Sequence, residues 1–381
     1  MIEALRTLGI AVTVDERECI AEITGCRGHI PESDVDLYCG NSGTCMRFLT
    51  ALAALGDGAY RLDGIARMRK RPIGELGAAL QALGAGIEYV GDEGFPPLVV
   101  HAQSLRGGQV KLDGPPSSQM VSALLLAAPY ARRDVLIELS GDVSSRPFLN
   151  MTAALMERFG IDLLVDQRGD ATRLVVEAPR CYSATGLFIE PDATNAMYFL
   201  AAAAIAGGRV TVPGLGTSSV QGDVEFVTLL ARMGCTVERA EHSLTVVGPP
   251  VGARLHGLDV DLNAMPDTVP TLAVLAVFAD SPTIIRNVGN LRVKETDRLA
   301  ALRVELTKLG AEVTENPEGL VISPPSRITP ATIDTYDDHR MAMSFALAGS
   351  RCPGLFINEP QCCAKTFPDF FQRFDAMMGN D

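Results

Sequence analysis

The sequence predicts an α/β protein of two domains built by repeating one unit of helices and strands, and three observations carry that prediction. A helix that ends in an apolar residue and glycine, and is followed by a strand, recurs down the chain. A second, more apolar helix recurs with the same spacing. The length of 381 residues is more than a single hydrophobic core usually organises.

The first phrase reads "IEALRTLGIAV", "GAALQALGAGIEY", "TAALMERFGIDLLV", "VTLLARMGCTVE", "VELTKLGAEVTE" and "FDAMMGND". Its glycines, Gly9, Gly84, Gly160, Gly234, Gly310 and Gly379, are 75, 76, 74, 76 and 69 residues apart. Glycine just past a helix relieves the left-handed C′ position, and a fixed period marks duplicated units. The second phrase is a loop opening an Ala-rich helix: "NSGTCMRFLTALAAL", "SSQMVSALLLAAPYA", "DATNAMYFLAAAAIA", "PDTVPTLAVLAVFA" and "DDHRMAMSFALAG". Markers at Gly43, Ser118, Asp192, Asp267 and Asp338 are 75, 74, 75 and 71 residues apart. Helices apolar on every face belong inside. The first, amphipathic kind belongs outside, against strands such as "RLVVEA", "LTVVGP" and "LVISPP". The count is six outer helices and five buried ones. The chain opens on an outer helix, so the first repeat is incomplete and its buried helix is expected upstream of Met1. Domain boundaries are expected at 1–187 and 188–381.

Hydrophobic content of 47% with 21% charged residues is globular. The longest uncharged apolar stretches, such as "MYFLAAAAIAGG", are too short to span a bilayer. "MIEALRTLGIAV" has neither a basic leader nor a cleavage-type run. The nine cysteines show no CxxC pair and no Cys/His ligand spacing, which argues against a zinc site or a disulfide scaffold. A cytoplasmic location fits. A net charge of −13 argues against nucleic acid as a partner and makes local basic clusters more informative.

Two such clusters stand out. In "VKETDR" Lys294 and Arg298 are four apart, placed by the pattern on the first turn of a helix "RVKETDRLAALRVELTKLG". Like charges at that spacing repel, and a helix start disfavours cations. Either Asp297 neutralises Lys294 and Arg298 points into solvent, or a bound anion completes the site. "ARMRKRPIG" holds Arg67, Arg69, Lys70 and Arg71, a run that reads equally as a solvated loop. Each buried helix opens on Ser, Thr, Asp, Asn or Gly, residues that cap helices. Such helix starts also present free N–H groups to anions.

"GNSGTCMRF", "RMRKRPIGEL", "SSQMVSALLLAAP", "NLRVKETDRL", "YDDHRMAM" and "AKTFPDFF" resemble, in order and over essentially the whole chain, the motifs of the 5-enolpyruvylshikimate-3-phosphate synthase family. The resemblance implies the two-domain enolpyruvyl transferase fold, each domain of three βαβαββ copies with buried helices inside. It implies transfer of the enolpyruvyl group of phosphoenolpyruvate (PEP) to the 5-hydroxyl of shikimate 3-phosphate, with phosphate released. That is a step toward aromatic amino acids, made by a monomer with no metal or organic cofactor and no membrane or nucleic-acid partner. By the same resemblance Lys294 meets shikimate 3-phosphate, and Arg298 and Arg340 hold the PEP carboxylate. Arg67 and Lys365 grip the PEP phosphate, helped by Gln119 and the backbone near Gly43, with Asn41 and Thr44 in the same loop. Ser117, Ser118 and Ser145 hold the shikimate phosphate, with Gln119 also in contact with shikimate 3-phosphate, while Asn290 and Asp267 bind ring hydroxyls. Of the basic run only Arg67 aligns with a ligand contact, so Arg69, Lys70 and Arg71 read as surface or hinge charges. Asp267 is the expected base at the 5-hydroxyl, and Glu295 the carboxylate that trades protons at the PEP methylene. Set against these roles, Asp267 could be a plain cap and Glu295 a plain first-turn acid. His339 is expected beside PEP. In this family glyphosate binds where a side chain at Gly43 would intrude.

The sequence departs from the family in three places. The first motif, P-G-S-K-S-x-x-x-R, is absent, so no residue here takes the roles of its lysine, serine and arginine. The expectation is that Met1 is internal and that the working enzyme starts about 55 to 65 residues earlier, from a repeat of roughly 75. Such a gap should leave apolar neighbours exposed and a sheet edge unpaired. Phe148 stands where many relatives have tyrosine, and Phe48 replaces a common proline after Arg47. Two alternatives remain: a truncated, non-catalytic relative that binds shikimate 3-phosphate, and UDP-N-acetylglucosamine enolpyruvyl transferase. The second usually carries a reactive cysteine in the loop matching "GIARMRKRPIG", which has none here.

Overall fold

The computed structural model describes residues 1–115, 117–141, 143–168 and 171–379. Along the chain run α1 (Ile2–Thr7), α2 (Gly43–Ala53), α3 (Gly74–Ala82), α4 (Ser118–Ala127), α5 (Pro147–Arg158), α6 (Ala193–Ala206), α7 (Phe226–Arg232), α8 (Val269–Ala276), α9 (Arg298–Lys308), α10 (His339–Gly349) and α11 (Phe370–Met378). Among the described residues, the odd-numbered helices are the six outer ones read from the sequence and the even-numbered the five buried ones. All eight residues of α8 and ten of the fourteen in α6 are buried. In α5, by contrast, only Leu149, Thr152 and Met156 are buried, a single stripe at helical spacing. The glycine after each outer helix has a φ between +74° and +111°, the region that a side chain resists.

The chain divides into two compact units, Met1–Leu187 and Phe188–Asp381, each with its own hydrophobic core. Among the described residues, the complete βαβαββ repeat occurs three times. In the first unit, strand Asp34–Tyr38 runs parallel to Asp57–Asp63 with α2 between them. After α3, Gly86–Tyr89 and Leu98–Gln103 form an antiparallel pair, and Leu98–Gln103 returns beside Asp57–Asp63. Strands Gly108–Asp113, Val135–Ser140, Leu164–Arg168 and Ala171–Val176 repeat this order around α4 and α5. In the second unit Asp259–Asp261, Thr283–Arg286, Glu312–Asn316 and Gly319–Ser323 repeat it around α8 and α9. Register places Leu37 opposite Leu62, Leu112 opposite Leu139 and Val260 opposite Ile285. Each of those six side chains is buried, so each parallel pair presents a matched apolar face to its helix.

The remaining repeats are partial. A three-stranded sheet accompanies α6 and α7, and short parallel strands Thr332–Ile333 and Phe356–Ile357 flank α10. The first repeat shows only α1 and the hairpin Val12–Asp15/Ile20–Ile23, where Ile20 and Ile23 are 59% and 55% exposed.

One boundary differs from the sequence reading. The helix was expected to include "RVKET", but α9 begins at Arg298. Asp297 stops it from starting earlier, because its carboxylate accepts from the Ala300 N–H at 3.1 Å as an N-cap. Residues Gly289–Val293 form a 3-10 turn, and Lys294 is extended with φ −85° and ψ −155°. Lys294 and Arg298 therefore share no helical face. Asp297 pairs with Arg292 at 3.1 Å.

Leu272 of α8 has no exposed surface. Leu272→Ala should lower stability by about 2–5 kcal/mol, seen as a lower denaturant midpoint with little change in slope; an unchanged midpoint would contradict the burial assigned to α8.

Candidate functional site

Arg298, the first residue of α9, is 1% exposed. It does not point into solvent, as one of the two readings of "VKETDR" had it. Its Nε and Nη2 donate to the two oxygens of Asp338 at 2.8 and 3.1 Å, a bidentate pair. Nη2 also donates to Glu295 Oε2 at 3.0 Å, and Nη1 donates to Asp267 Oδ1 at 2.9 Å. Four of its five N–H donors are thus given to carboxylates. The other Asp267 oxygen accepts from Arg340 Nη2 at 3.0 Å, and Lys365 Nζ donates to Glu295 Oε1 at 2.5 Å.

The chain builds this cluster from element ends. Asp267 lies in the turn Pro266–Thr268 that leads into α8, where the N-cap position is Thr268 and no side chain caps the helix. The plain-cap reading of Asp267 therefore fails. Glu295 precedes α9 and stands between two cations, so it is not a first-turn acid either. Asp338 caps α10 through the Arg340 N–H at 3.0 Å while it holds Arg298. Lys365 ends the 3-10 turn Pro360–Lys365. In the turn before Lys294, both amide atoms of Asn290 are buried without a protein partner, a costly state that a bound polar group relieves.

Charge sets the protonation of these groups. Burial works against the Asp267 carboxylate, but Arg340, Lys294 and Arg298 together outweigh it and hold its pKa well below the usual carboxylate range. Burial, with Arg340 adding, pushes His339 down to about 3, so its imidazole is neutral at pH 7. Its Nδ1 is 3.7 Å from Asp338 Oδ1, too far for a hydrogen bond. Burial pushes the neighbouring Asp223 up to about 6 despite a hydrogen bond from Thr194 Oγ1. The Tyr198 hydroxyl, within reach of Arg340 Nη1 at 3.5 Å, goes up to about 12 because it is buried.

A second cluster lies in the first unit, and Gln119 organises it. Its Nε2 donates to Thr44 Oγ1 at 3.1 Å and its Oε1 accepts from Arg47 Nη1 at 2.9 Å, joining the starts of α4 and α2. Ser42 caps α2 through Cys45 N, and Ser117 caps α4 through Gln119 N. Ser118 is buried, and Ser145, buried with φ +61°, sits just before α5. A Ser122–Thr152 hydrogen bond of 2.7 Å holds α5 to α4. Arg67 opens the turn Met68–Lys70. Arg69 is exposed and pairs with Asp63, and Lys70 is exposed, as read from the sequence. Arg71 is a correction: it is buried and donates to the Asn41 carbonyl at 2.9 Å, shaping the loop before Gly43. A Cβ on Gly43 would stand 2.6 Å from Arg71 Nη2 and 2.7 Å from Arg47 Nη1.

The structure thus brings Asp267, Glu295, Arg298, Arg340, Lys365 and His339 into one cluster, with Lys294 close enough to act on Asp267. It joins Gln119, Thr44, Ser117 and Gly43 in the other. Sequence reasoning missed Arg47, Arg71, Asp223 and the role of Asp338. Arg47 carried one usable signal, four residues after Gly43 and hence one helical turn away. Among the described residues, no group of three or more His, Cys, Asp or Glu is arranged to hold a metal ion, and no helix is long and apolar enough to cross a membrane.

Arg298→Met should cost about 3–5 kcal/mol in denaturant unfolding, because Asp338 and its neighbours keep their charge and lose their cation; a cost below about 1 kcal/mol would refute the cluster. For His339, the unfolded state binds the extra proton between pH 3 and about 6.5. Stability therefore rises with pH through that window and is lost as pH falls. His339→Gln should remove about 2 kcal/mol of the loss between pH 7 and pH 5, checked by denaturant midpoints at both values.

The EPSP synthase (3-phosphoshikimate 1-carboxyvinyltransferase) family model matches residues 1–374. The chain is 48% identical to the chloroplastic 3-phosphoshikimate 1-carboxyvinyltransferase of Arabidopsis thaliana, covering 98% of this chain and 74% of that protein. It is 45% identical to the enzyme of the same name from Trichormus variabilis, covering 99% and 87%. The EPSP synthase structure from Acinetobacter baumannii aligns with a TM-score of 0.76 at 26% identity, over 99% of this chain and 86% of that one. The enolpyruvyl transferase NikO from Streptomyces tendae, at 19% identity and TM-score 0.77 over 100% and 86%, shares the fold. The chain belongs to the EPSP synthase family and is an enolpyruvyl transferase.

Proposed function

We propose that this member of the family divides its reaction, transfer of enolpyruvyl from PEP to the 5-hydroxyl of shikimate 3-phosphate with release of phosphate, between the two clusters as follows. Ser117, Ser118 and Ser145 hold the shikimate phosphate, with Lys294 adding charge and Asn290 taking a ring hydroxyl. Arg67 and Lys365 take the PEP phosphate, with Gln119, Thr44, Asn41 and the backbone at Gly43. Arg298 and Arg340 take the PEP carboxylate, beside His339. The observation that carries this reading is the Asp267 carboxylate shared between Arg298 and Arg340: a carboxylate already sits where a substrate carboxylate is expected.

That geometry gives the chemistry an order. Clamped by two guanidiniums, Asp267 is a poor base. An incoming carboxylate that takes Arg340 and the Arg298 Nη1 group now given to Asp267 displaces it. Freed of those cations, its pKa rises toward the ordinary value, and it can accept the 5-hydroxyl proton. The hydroxyl oxygen attacks C2 of PEP as Glu295, which has taken up a proton from solvent once Lys365 leaves it for the PEP phosphate, delivers that proton to the methylene carbon. Phosphate then leaves as Glu295 takes a methyl proton back, which restores the vinyl group. A cytoplasmic monomer needing no metal or organic cofactor completes the reading. All nine cysteines are free, the state that a reducing compartment maintains.

The test is phosphate release from PEP and shikimate 3-phosphate together. Release that needs only PEP, or that follows UDP-N-acetylglucosamine instead, would overturn the reading, and so would a folded chain that binds both substrates without turnover. Asp267→Asn should lose about 10²–10⁴-fold in turnover while still binding PEP. Gly43→Ala should push the Arg47 and Arg71 guanidiniums aside and raise KM for PEP with little change in Tm. An unchanged KM would separate Gly43 from the PEP pocket.

A further inference from the structure

The loop that presents Asp338 is held in an unfavourable shape. Tyr336 and Asp337 stand consecutively in the left-handed region, with φ +56° and +55°, a conformation non-glycine residues keep only when their surroundings enforce it. Asp338 follows at once, and both of its oxygens meet Arg298.

What enforces the loop is Glu305, which has no exposed surface although it is a carboxylate. Its Oε1 accepts from the Tyr336 hydroxyl at 2.7 Å, and its Oε2 accepts from the Asp334 N–H at 3.0 Å. Lys308 Nζ lies 2.7 Å from Oε2 and 2.8 Å from Asp334 Oδ2, so the buried charge is paired. Asp334 Oδ1 in turn accepts from Asn358 Nδ2 at 2.7 Å. Glu305 lies two turns after Arg298 on α9, roughly 10 Å along the axis. Helix α9 therefore grips one loop at two points, Asp338 through Arg298 and Tyr336 through Glu305.

We propose that Glu305 is a positioning residue: it holds the Tyr336–Asp337 turn and so sets Asp338, His339 and Arg340 against Arg298. This rests on the reading above, in which Arg298 and Arg340 receive the PEP carboxylate. Glu305 and Tyr336 themselves lie behind the cluster and take no part in proton transfer.

Tyr336→Phe removes a single hydroxyl from the strap, and Glu305→Gln keeps its size while removing the charge that Lys308 meets. Both variants are measured for KM of each substrate, for Tm and for amide hydrogen exchange. Tyr336→Phe should raise KM for PEP roughly tenfold, the scale of one hydrogen bond to a charged group, with KM for shikimate 3-phosphate within about twofold. Exchange should quicken at Asp338–Met341 and stay unchanged in the middle of α9. Glu305→Gln, which keeps an acceptor for Tyr336, should recover part of the PEP affinity. A lowered Tm with unchanged KM and unchanged exchange at Asp338–Met341 would make Glu305 merely structural and overturn the proposal. If the parent chain shows no turnover, the functional reading fails and the exchange pattern alone still decides whether the strap exists.

Discussion

Arg298 and its three carboxylates depend on one another, and much of the second unit depends on the group. A guanidinium with almost no exposed surface is untenable without counter-charge, and carboxylates this close repel unless a cation stands between them. Each of the three comes from a different place: Asp267 ahead of α8, Glu295 ahead of α9, and Asp338 at the start of α10. One planar side chain thus fixes how three helix starts meet. It also resolves the conflict of a cation at a helix N-terminus, where the dipole disfavours it, because the carboxylates restore the sign that the helix favours.

The first unit reaches a similar end with an amide, rather than a carboxylate, set against a guanidinium. The starts of α2 and α4 are tied by the Gln119 amide, which donates to Thr44 and accepts from Arg47. An amide can do both at once, which no carboxylate or guanidinium can. The serines at the helix starts are neutral, so the first unit offers hydroxyls and backbone N–H groups beside the Arg47 and Arg71 guanidiniums, where the second sets cations against carboxylates. A single repeat period therefore carries two chemistries, decided by what stands at the first one or two residues of each buried helix.

The repeat was legible because its signals are local: a glycine closing each outer helix and an apolar helix about 75 residues after the last. The start of α9 was misplaced because "VKETDR" is compatible with helix along its whole length. Only Asp297, a residue type that caps, marks the true beginning, and its weight against the run of charge shows in the hydrogen bond to Ala300. Arg69 and Arg71 look alike in a basic run. They differ in what they meet, Asp63 six residues away for one and the Asn41 carbonyl thirty residues away for the other. Asp267 and Glu295, like Arg298, Arg340 and Lys365, were picked out by resemblance to a family, but which of them pair with which was not legible, since the ion pairs join residues up to 73 positions apart. The hold of Glu305 on Tyr336 is non-local in the same way.

The balance of charge in the second cluster bears on how substrates arrive. Arg298, Arg340, Lys294 and Lys365 face Asp267, Glu295 and Asp338, so most of the positive charge is cancelled within a few ångströms. The chain around it carries a net charge of −13. A polyanion diffusing toward the protein therefore meets no far-reaching attraction, and if anything a weak repulsion that added salt screens. Encounter should be slow by the standards of steered association and insensitive to, or helped by, ionic strength. In the function proposed above, recognition begins only at contact, when a substrate anion trades places with a carboxylate of the protein.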